Sequence, residues 1–442
     1  MTSNLALLTL AVTLLLASSR VDAAELTGRA IMSADTFAPG STTGQFKKTK
    51  RTTPFLNAQP VQGFSSVEAG AKLGTYLVIS DNGFGAKSNS LDYVLRIYAV
   101  EPDFSTGIVY PVNFLTGERI ARFNRQSFIE LNDRNRQTNF PIVATSATYP
   151  GSNIAVSPLV AANRLLTGGD FDPESFRRVG DGSFWVGDEF GPFLLHLGTD
   201  GELLEPPISL PNLLHIGKSD FVKSPDNPEF VNLSDEARNQ AANLGGSRGF
   251  EGMALNASGT KLYPMLEGSI KGDVQKSRLL IHEFDLATKK YTATFAYKLE
   301  NPSHAIGELT AINDSEFIVI ERDAKEGDPS NPAFKTPAQF KRLYKINISK
   351  IDKSGFVEKE LLVDLLNIAD PKGIGGNGTR NGIFTFPFVT IESVFVLDNK
   401  TLLVINDNNY ADSVGRVPRQ VDNTEFIRIR LERVLNMGKG GG

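Results

Sequence analysis

The stretch GFEGMALNASGTKLYPMLEGS, residues 249–269, decides the fold, because its plan returns four more times along the chain. An acidic residue precedes a short apolar run, a polar turn follows, and a second apolar run ends in another acid. Two such runs around a turn rich in Gly, Asn, Asp and Ser indicate a β-hairpin. The other copies are DFDPESFRRVGDGSFWVGDEFGP from Asp170, IGELTAINDSEFIVIERDA from Ile306, IESVFVLDNKTLLVINDNN from Ile391 and GFSSVEAGAKLGTYLVISDNGFG from Gly63.

The two acidic ends of each copy have a similar separation along the chain. A hairpin runs out and returns, so both of its ends are expected at the same rim of a sheet. The copy from Gly63 departs from this pattern, with Ser65 and Ser66 where the first acid is expected. At separations of 13 to 16 residues, the pairs are Asp172 and Asp188, Glu251 and Glu267, Glu308 and Glu321, and Glu392 and Asp407.

Further apolar runs follow four of the five hairpins and predict a four-stranded sheet of roughly 50 residues for each copy. Radial repetition of such sheets around a channel is the β-propeller, and it would gather the acid pairs at one mouth. The chain is therefore predicted to be an all-β propeller of six blades, with seven as the alternative. A sixth, poorly matched blade is expected between about 100 and 165. The run 25–33 is expected to close the ring on 425–432. Polar loop insertions are expected at 209–243, 325–341 and 370–385, and the first of them is expected to contain a short helix at 235–243.

Composition excludes several classes of protein. Of 442 residues, 40 % are hydrophobic and 22 % are charged, as in an ordinary globular protein. The formal charge of −4 gives no basic footprint for nucleic acid. The absence of cysteine excludes disulfides, thiolate metal sites and a cysteine nucleophile.

The first residues have the pattern of an export signal. An apolar run from Leu5 to Ala17 precedes small residues around Ala23, where a signal peptidase would cut. We therefore expect a signal peptide at 1–23, a single propeller domain at 24–436 and a flexible Gly-rich tail at 437–442. The mature protein is expected in the periplasm or outside the cell, as a monomer without a membrane span.

The repeat motifs resemble the phytase-like family described as "esterase-like activity of phytase". The most specific pieces are GDFDPE with WVGDEFGP, GFEGMA, LYPMLEG and IGELTAI with ERD, and the likeness runs from about Gly63 to Arg430. The resemblance implies a propeller related to the alkaline phytases, which use Ca²⁺ ions in an acidic funnel.

Clustered carboxylates repel one another without a cation, and Ca²⁺ takes six to eight oxygen ligands. The alternative is that these acids cap turns and bind backbone amides. No His-x-His or His-Glu-x-x-His spacing occurs, so Zn²⁺ is not expected. The predicted Ca²⁺ ligands are Asp170, Asp172, Asp188, Glu189, Glu267, Glu392 and Asp407.

Other polar residues of the repeats are candidates for acting on a substrate. Crowding by other carboxylates raises the pKa of a glutamate and suits it to proton transfer. A guanidinium can clamp a phosphate or carboxylate, although it can equally pair with the neighbouring acids. The predicted catalytic residues are Glu251, Glu308 and Glu321, and the predicted substrate-binding residues are Arg178, Arg248, Arg322 and His304.

These residues predict an exported Ca²⁺-dependent hydrolase that acts on phosphate esters or other esters. Two alternatives stay open at this point. One is a non-catalytic propeller, stabilised by Ca²⁺, that binds or scaffolds a partner. The other is a lactonase-like propeller with a few acids around one Ca²⁺.

Overall fold

The computed structural model describes residues 24–47, 51 and 53–437. The predicted signal peptide and residues 438–442 of the predicted tail lie outside this range. The described chain is all-β with few helices, as predicted. Its α-helices are α1 (Pro158–Asn163) and α2 (Asp235–Ala241), and its 3₁₀ turns are Lys87–Asn89, Val143–Thr145, Ile216–Lys218, Pro228–Phe230 and Gly376–Gly378.

The strands are β1 (Glu25–Met32), β2 (Phe37–Pro39), β3 (Ala58–Pro60), β4 (Phe64–Ala69), β5 (Tyr76–Ser80), β6 (Arg96–Asp103), β7 (Ile108–Pro111), β8 (Phe128–Glu130), β9 (Pro173–Arg178), β10 (Phe184–Asp188), β11 (Phe193–Leu197), β12 (Ile208–Ser209), β13 (Phe250–Leu255), β14 (Lys261–Leu266), β15 (Arg278–Asp285), β16 (Lys290–Lys298), β17 (Ala305–Ala311), β18 (Glu316–Arg322), β19 (Lys341–Ile351), β20 (Val357–Asp364), β21 (Ile368–Ala369), β22 (Thr379–Arg380), β23 (Ile383–Phe384), β24 (Thr390–Asp398), β25 (Thr401–Asp407) and β26 (Thr424–Arg430).

Most strands form antiparallel units of four, which we call sheets A to E. Sheet A is β4–β5–β6–β7, sheet B is β9–β10–β11–β12, sheet C is β13–β14–β15–β16, sheet D is β17–β18–β19–β20, and sheet E is β24–β25–β26–β1. The first strand of each sheet packs against the first strands of the sheets before and after it, and β24 of sheet E contacts β4 of sheet A. This cyclic order makes the architecture propeller-like.

The described residues contain five such sheets, not six, so the predicted blade between about 100 and 165 is not formed. That segment completes β6 and β7 of sheet A and adds β8 beside β6. The rest is a long loop that contains the 3₁₀ turn Val143–Thr145 and α1, with the buried carboxylate of Asp133 shortly after β8. Asp133 accepts hydrogen bonds from the backbone of Gln137 and from the side chains of Thr138 and Arg164. The loop satisfies its polar groups in this way rather than by strand pairing.

The N-terminal strand completes the last sheet, as the sequence predicted. Strand β1 pairs antiparallel with β26, from Glu25 opposite Arg430 to Met32 opposite Thr424. Inside this pairing, the Arg29 Nε donates to Glu425 Oε2 at 2.9 Å, and both side chains are buried. The first and last strands of the described chain are therefore joined by backbone and side-chain bonds.

The hydrophobic core lies between neighbouring sheets. Tyr263 of sheet C packs on Phe317 of sheet D with ring centroids 5.0 Å apart, and Trp185 of sheet B packs on Phe284 of sheet C at 5.3 Å. Such aromatic pairs fix how one sheet is set against the next. The sheets in turn fix the positions of the strand ends that carry the acids.

The predicted helix within the 209–243 insertion is present as α2. The Ser234 hydroxyl caps it by accepting from the Ala237 amide at 3.3 Å, and two acids occupy its first turn. Among the described residues, every helix falls short of the length and hydrophobicity needed to cross a bilayer.

Candidate metal centre and adjoining cleft

Each first strand carries a β-bulge at the same place near its start. One residue of the strand has no partner there, and a bulge of this kind re-aims its side chain. The bulged residues are Ser65, Glu174, Glu251, Gly307 and Glu392. The five sheets thus present equivalent positions to a common axis, and three of these positions are glutamates.

A second set of equivalent residues follows at the end of each second strand. Each of them is bonded or paired to the residue two places before the bulge, so it lies beside the bulged position. In order around the axis, these residues are Asp81, Glu189, Glu267, Arg322 and Asp407.

The side chains of the two sets converge. The Arg322 Nη2 lies 3.2 Å from Glu392 Oε1, 3.4 Å from Glu267 Oε1 and 3.6 Å from Glu251 Oε1. A guanidinium shared by three glutamates from three sheets places them around one point. We define the acidic cluster as the eight carboxylates Asp81, Asp172, Glu174, Glu189, Glu251, Glu267, Glu392 and Asp407.

Two groups within the acidic cluster have the geometry for holding an ion. In each group, one carboxylate oxygen per residue lies within 4.8 Å of the corresponding oxygens of the other two. Glu189 belongs to both groups. The first group is Asp172, Glu174 and Glu189, and the second is Glu189, Glu251 and Glu267.

Burial and mutual repulsion raise the pKa values of these acids. Desolvation and then the Asp172 and Glu251 charges raise the pKa of Glu174 well above its ordinary value. Desolvation and then Asp407 raise the pKa of Glu392 to about 8. Desolvation raises the pKa of Asp407 to about 6. Without a compensating cation, the folded chain therefore resists full ionisation of the cluster.

The donor set fits a hard cation. The Glu189 Oε1 is buried and has no hydrogen-bond partner among the described residues. An orphan oxygen of this kind points to a missing ligand, because buried polar atoms are otherwise satisfied. All eight members of the acidic cluster offer carboxylate oxygens, which suit hard cations such as Ca²⁺, Mg²⁺ and Mn²⁺ and not the softer metals that prefer sulfur or imidazole.

Two predicted ligands, Asp170 and Asp188, do not belong to the acidic cluster. Asp170 accepts from the Val143 amide at 2.7 Å and from Thr167, and Asp188 accepts from the Asp172 amide at 2.8 Å and the Gly191 amide at 2.7 Å. Their lone pairs are used by backbone donors, so they support the loop that carries Asp172. Burial raises the pKa of Asp170 to about 6 and that of Asp188 to about 7.

The predicted catalytic residue Glu308 lies one step further along the channel, because the bulge in β17 falls on Gly307. Its Oε2 accepts from the Ser66 hydroxyl at 2.7 Å, and its Oε1 lies 3.0 Å from Arg177 Nη2. Burial raises the pKa of Glu308, against the Arg177 guanidinium, which lowers it. Glu308 has no exposed surface, which leaves it in a structural ion pair and not at the mouth.

The predicted catalytic Glu321 and the predicted substrate-binding His304 lie together, outside the acidic cluster. The Glu321 side chain accepts from Tyr297 OH at 2.6 Å, contacts His304 Nδ1 at 2.8 Å and pairs with Lys359 at 2.7 Å. Tyr297 and Lys359 come from the outer strands β16 and β20, and His304 immediately precedes β17. Strand alternation turns Glu321 outward and its neighbour Arg322 inward.

The three arginines predicted to bind substrate lie in different positions relative to the acidic cluster. Arg322 lies at the centre of the acidic cluster, and Arg248 lies at its rim, where its half-exposed Nη1 donates to Glu267 at 2.6 Å. Arg178 is exposed at the end of β9 remote from Glu174, so its predicted contact with the site is wrong. The alternation of β9 sends Arg177 into the channel instead.

Two members of the acidic cluster are absent from the predicted residues: Glu174, on the same segment as the predicted ligand Asp172, and Asp81. Asp81 follows the second apolar run of the copy whose first acids are replaced by Ser65 and Ser66. Desolvation and then Asp407 raise its pKa well above the ordinary value. Following every copy to the end of its second run would have found it, because that position is acidic in four of the five copies.

A cleft of about 770 Å³ opens beside the acidic cluster. Three segments form its walls, near residues 85–91, 140–150 and 225–247. Its lining includes Asp170, two residues before Asp172 in the chain, and Phe190, which follows Glu189.

Comparison with known proteins gives one family. The family model named phytase-like and described as "esterase-like activity of phytase" matches residues 59–410, most of the chain. An "Uncharacterized secreted protein" of Arthroderma benhamiae is 25% identical over 211 residues, which are 41% of this chain and 39% of that protein. The match thus spans about two fifths of that relative's length.

The solved structures that resemble the chain do so with low TM-scores. A luciferin-regenerating enzyme matches with a TM-score of 0.34 and 12% identity, over 86% of this chain and 82% of that one. A putative gluconolactonase gives 0.30 and 11%, over 83% and 74%, and virginiamycin B lyase from Staphylococcus aureus gives 0.30 and 10%, over 83% and 94%. At these scores the likeness carries no argument about blade count, activity or substrate.

Proposed function

The chain belongs to the phytase-like family described as "esterase-like activity of phytase", and from this we propose that it is an exported Ca²⁺-dependent hydrolase of phosphate or other esters. The observation that carries the proposal is the acidic cluster itself. Eight buried or half-buried carboxylates converge there against two guanidinium groups, with the Glu189 Oε1 unpartnered. Export rests on the N-terminal sequence and on a relative that is named as secreted.

The residues that would hold Ca²⁺ are the two groups that share Glu189. The first group would use Asp172 and Glu174 with Glu189, and the second would use Glu251 and Glu267 with Glu189. Bound there, Ca²⁺ would polarise an ester oxygen and offset negative charge on a phosphate. Glu392, Asp407 and Asp81 would add to the field that draws the cation in.

The chain's own residues suggest distinct roles around a bound ester. Hydrolysis adds one water across the ester bond and yields an acid and an alcohol. Of the three predicted catalytic glutamates, only Glu251 belongs to the acidic cluster. One of its carboxylate oxygens would bind Ca²⁺ and the other would take the water proton. Arg322 holds Glu251 in place, and the half-exposed Arg248 is free on one side to meet an anionic group.

The test is an assay of purified protein on 4-nitrophenyl phosphate, 4-nitrophenyl acetate and δ-valerolactone, with Ca²⁺ and with chelator. We expect hydrolysis of an ester that chelation abolishes and Ca²⁺ restores. Activity that survives chelation would remove the metal from the reaction. Turnover of the lactone alone would favour a lactonase. No turnover of any probe, together with a melting temperature that depends on Ca²⁺, would favour the non-catalytic scaffold.

A further inference from the structure

Arg322 contacts the two ion-holding groups unequally. Its Nη2 lies 3.4 Å from Glu267 Oε1 and 3.6 Å from Glu251 Oε1, and both glutamates belong to the second group. Among the described residues, none of the three members of the first group forms an ion pair with a lysine or an arginine. The positive charge of Arg322 is therefore placed against the second group.

This charge is permanent, because a guanidinium is not deprotonated in a protein. A positive charge so close to two ligand carboxylates repels any other cation that approaches them. Arg322 and a metal ion are thus alternatives for offsetting the negative charge of the same two glutamates.

The contacts of Arg322 are long for a buried arginine. Charge-assisted hydrogen bonds usually measure about 2.7–2.9 Å, and the Arg29 Nε donates to Glu425 at 2.9 Å where the first and last strands join. The shortest contact of the Arg322 Nη2, to Glu392 Oε1, is 3.2 Å, and the buried Arg322 Nε has no hydrogen-bond partner among the described residues. A glutamate that leaves Arg322 for a metal ion therefore gives up little hydrogen bonding.

We propose that Arg322 is a built-in cation that competes with Ca²⁺ for Glu251 and Glu267. The inference rests on the Ca²⁺ centre of the proposed function and holds whether or not an ester is hydrolysed there. Through Arg322, sheet D would set the Ca²⁺ concentration at which the glutamates of sheet C bind the ion.

Arg322→Gln tests the competition, and Arg177→Gln is its matched control. Arg177 is also buried in the channel, but its ion pairs are with Glu308 and Glu68, outside the acidic cluster. Each variant removes one buried positive charge and leaves buried acids unpaired, so both should be less stable than the unmodified protein in EGTA.

Isothermal titration with CaCl₂ should show that Arg322→Gln binds Ca²⁺ about tenfold or more tightly than the unmodified protein, because a like charge beside the ligands is gone. Its melting temperature should also rise more on addition of CaCl₂, since tighter binding to the folded chain adds stability. Arg177→Gln should match the unmodified protein in Ca²⁺ affinity and in the Ca²⁺-induced rise.

A second comparison locates the gain. In a Glu267→Gln background, Arg322→Gln should change the Ca²⁺ affinity little, because the second group has already lost a ligand. In an Asp172→Asn background, which alters the first group, it should still raise the affinity by about tenfold or more.

Arg322→Lys is the milder variant, because its ammonium keeps the charge but reaches less far. Its Ca²⁺ affinity should lie between those of the unmodified protein and Arg322→Gln, and an affinity below that of the unmodified protein would contradict the competition.

The outcomes separate this inference from the proposed function. Ca²⁺ binding that Arg322→Gln leaves unchanged or weakens would overturn the inference while leaving the Ca²⁺ centre in place. The expected gain, in a protein that hydrolyses none of the ester probes, would support the inference and contradict the proposed hydrolase. No Ca²⁺ binding by either protein would overturn both.

Discussion

Glu189 is the residue on which the candidate metal centre depends most, because it belongs to both ion-holding groups and has an unpartnered oxygen. Glu189→Gln removes one anionic ligand and keeps the volume of the side chain. We expect Ca²⁺ affinity to fall by about tenfold or more, since affinity follows the charge and number of the ligands. Isothermal titration with CaCl₂ measures this.

Glu205→Gln is the control for Glu189→Gln. Glu205 is half-buried and pairs with Lys289 and His196 at the outer edge of sheet B, so its amide should leave Ca²⁺ affinity unchanged. Unchanged affinity in Glu189→Gln would contradict the assignment of Glu189 as a shared ligand.

Glu321 has a structural role that is unrelated to the role of its neighbour Arg322 in the acidic cluster. Its fully buried carboxylate holds Tyr297, His304 and Lys359 together between sheets C and D. Glu321→Ala should lower the free energy of unfolding by about 3 kcal/mol, because the removal leaves buried partners unpaired. Denaturant unfolding measures this loss. The Ca²⁺ affinity of the folded variant should be unchanged. A tenfold loss of affinity would show that Glu321 contributes to the metal site.

At the scale of the strand, the bulge determines which residues reach the axis. Sheet D carries Gly307 at its bulge, where sheets B, C and E carry glutamate. A Cβ on Gly307 would lie 2.1 Å from the Ile391 carbonyl oxygen of the next sheet. Sheet D therefore supplies no bulge carboxylate and contributes the cation Arg322 instead.

Gly307→Ala should destabilise the protein by about 3 kcal/mol, at the upper end of the cost of forcing extra atoms into a packed interior. Thermal and denaturant unfolding measure the change. Gly180→Ala serves as the control, because its added Cβ meets open space. A Gly307→Ala protein as stable as the control would show that sheets D and E are not in the close contact described.

For the whole molecule, the buried acids link stability to pH and to calcium. Burial raises the pKa of Asp407 to about 6, and burial and Asp407 raise that of Glu392 to about 8, against about 4 in an unfolded chain. The folded chain then binds protons more tightly than the unfolded one. Their contribution to stability is complete below about pH 4 and is lost as the pH rises through about 6 to 8.

The melting temperature in chelator should therefore fall between about pH 5 and pH 8. Added Ca²⁺ should remove most of that fall, because a cation bound only by the folded chain stabilises the ionised form. Differential scanning fluorimetry over this range, with EGTA and with excess CaCl₂, provides the comparison. A melting temperature in EGTA that rises with pH across this range would contradict the electrostatic account of the acidic cluster.

The sequence by itself determined the local structure: hairpins with acidic ends, the all-β class, helix α2 and the pairing of the first strand with the last. These follow from side-chain periodicity and turn chemistry, which act over a few residues. The repeat also predicted that six members of the acidic cluster would lie together: Asp172, Glu189, Glu251, Glu267, Glu392 and Asp407.

Only the tertiary structure decided which side of each strand an acid faces and how many sheets share the axis. A shift of one residue moves a side chain to the opposite face of a strand, so Glu321 and Arg178 could not be told from Arg322 and Arg177 by spacing alone. The bulge on Gly307 shifted Glu308 in the same way, and the loop at 100–165 replaced a blade because polar contacts satisfied its backbone. Packing between sheets that are distant in sequence determined which way each side chain faces and how many sheets share the axis.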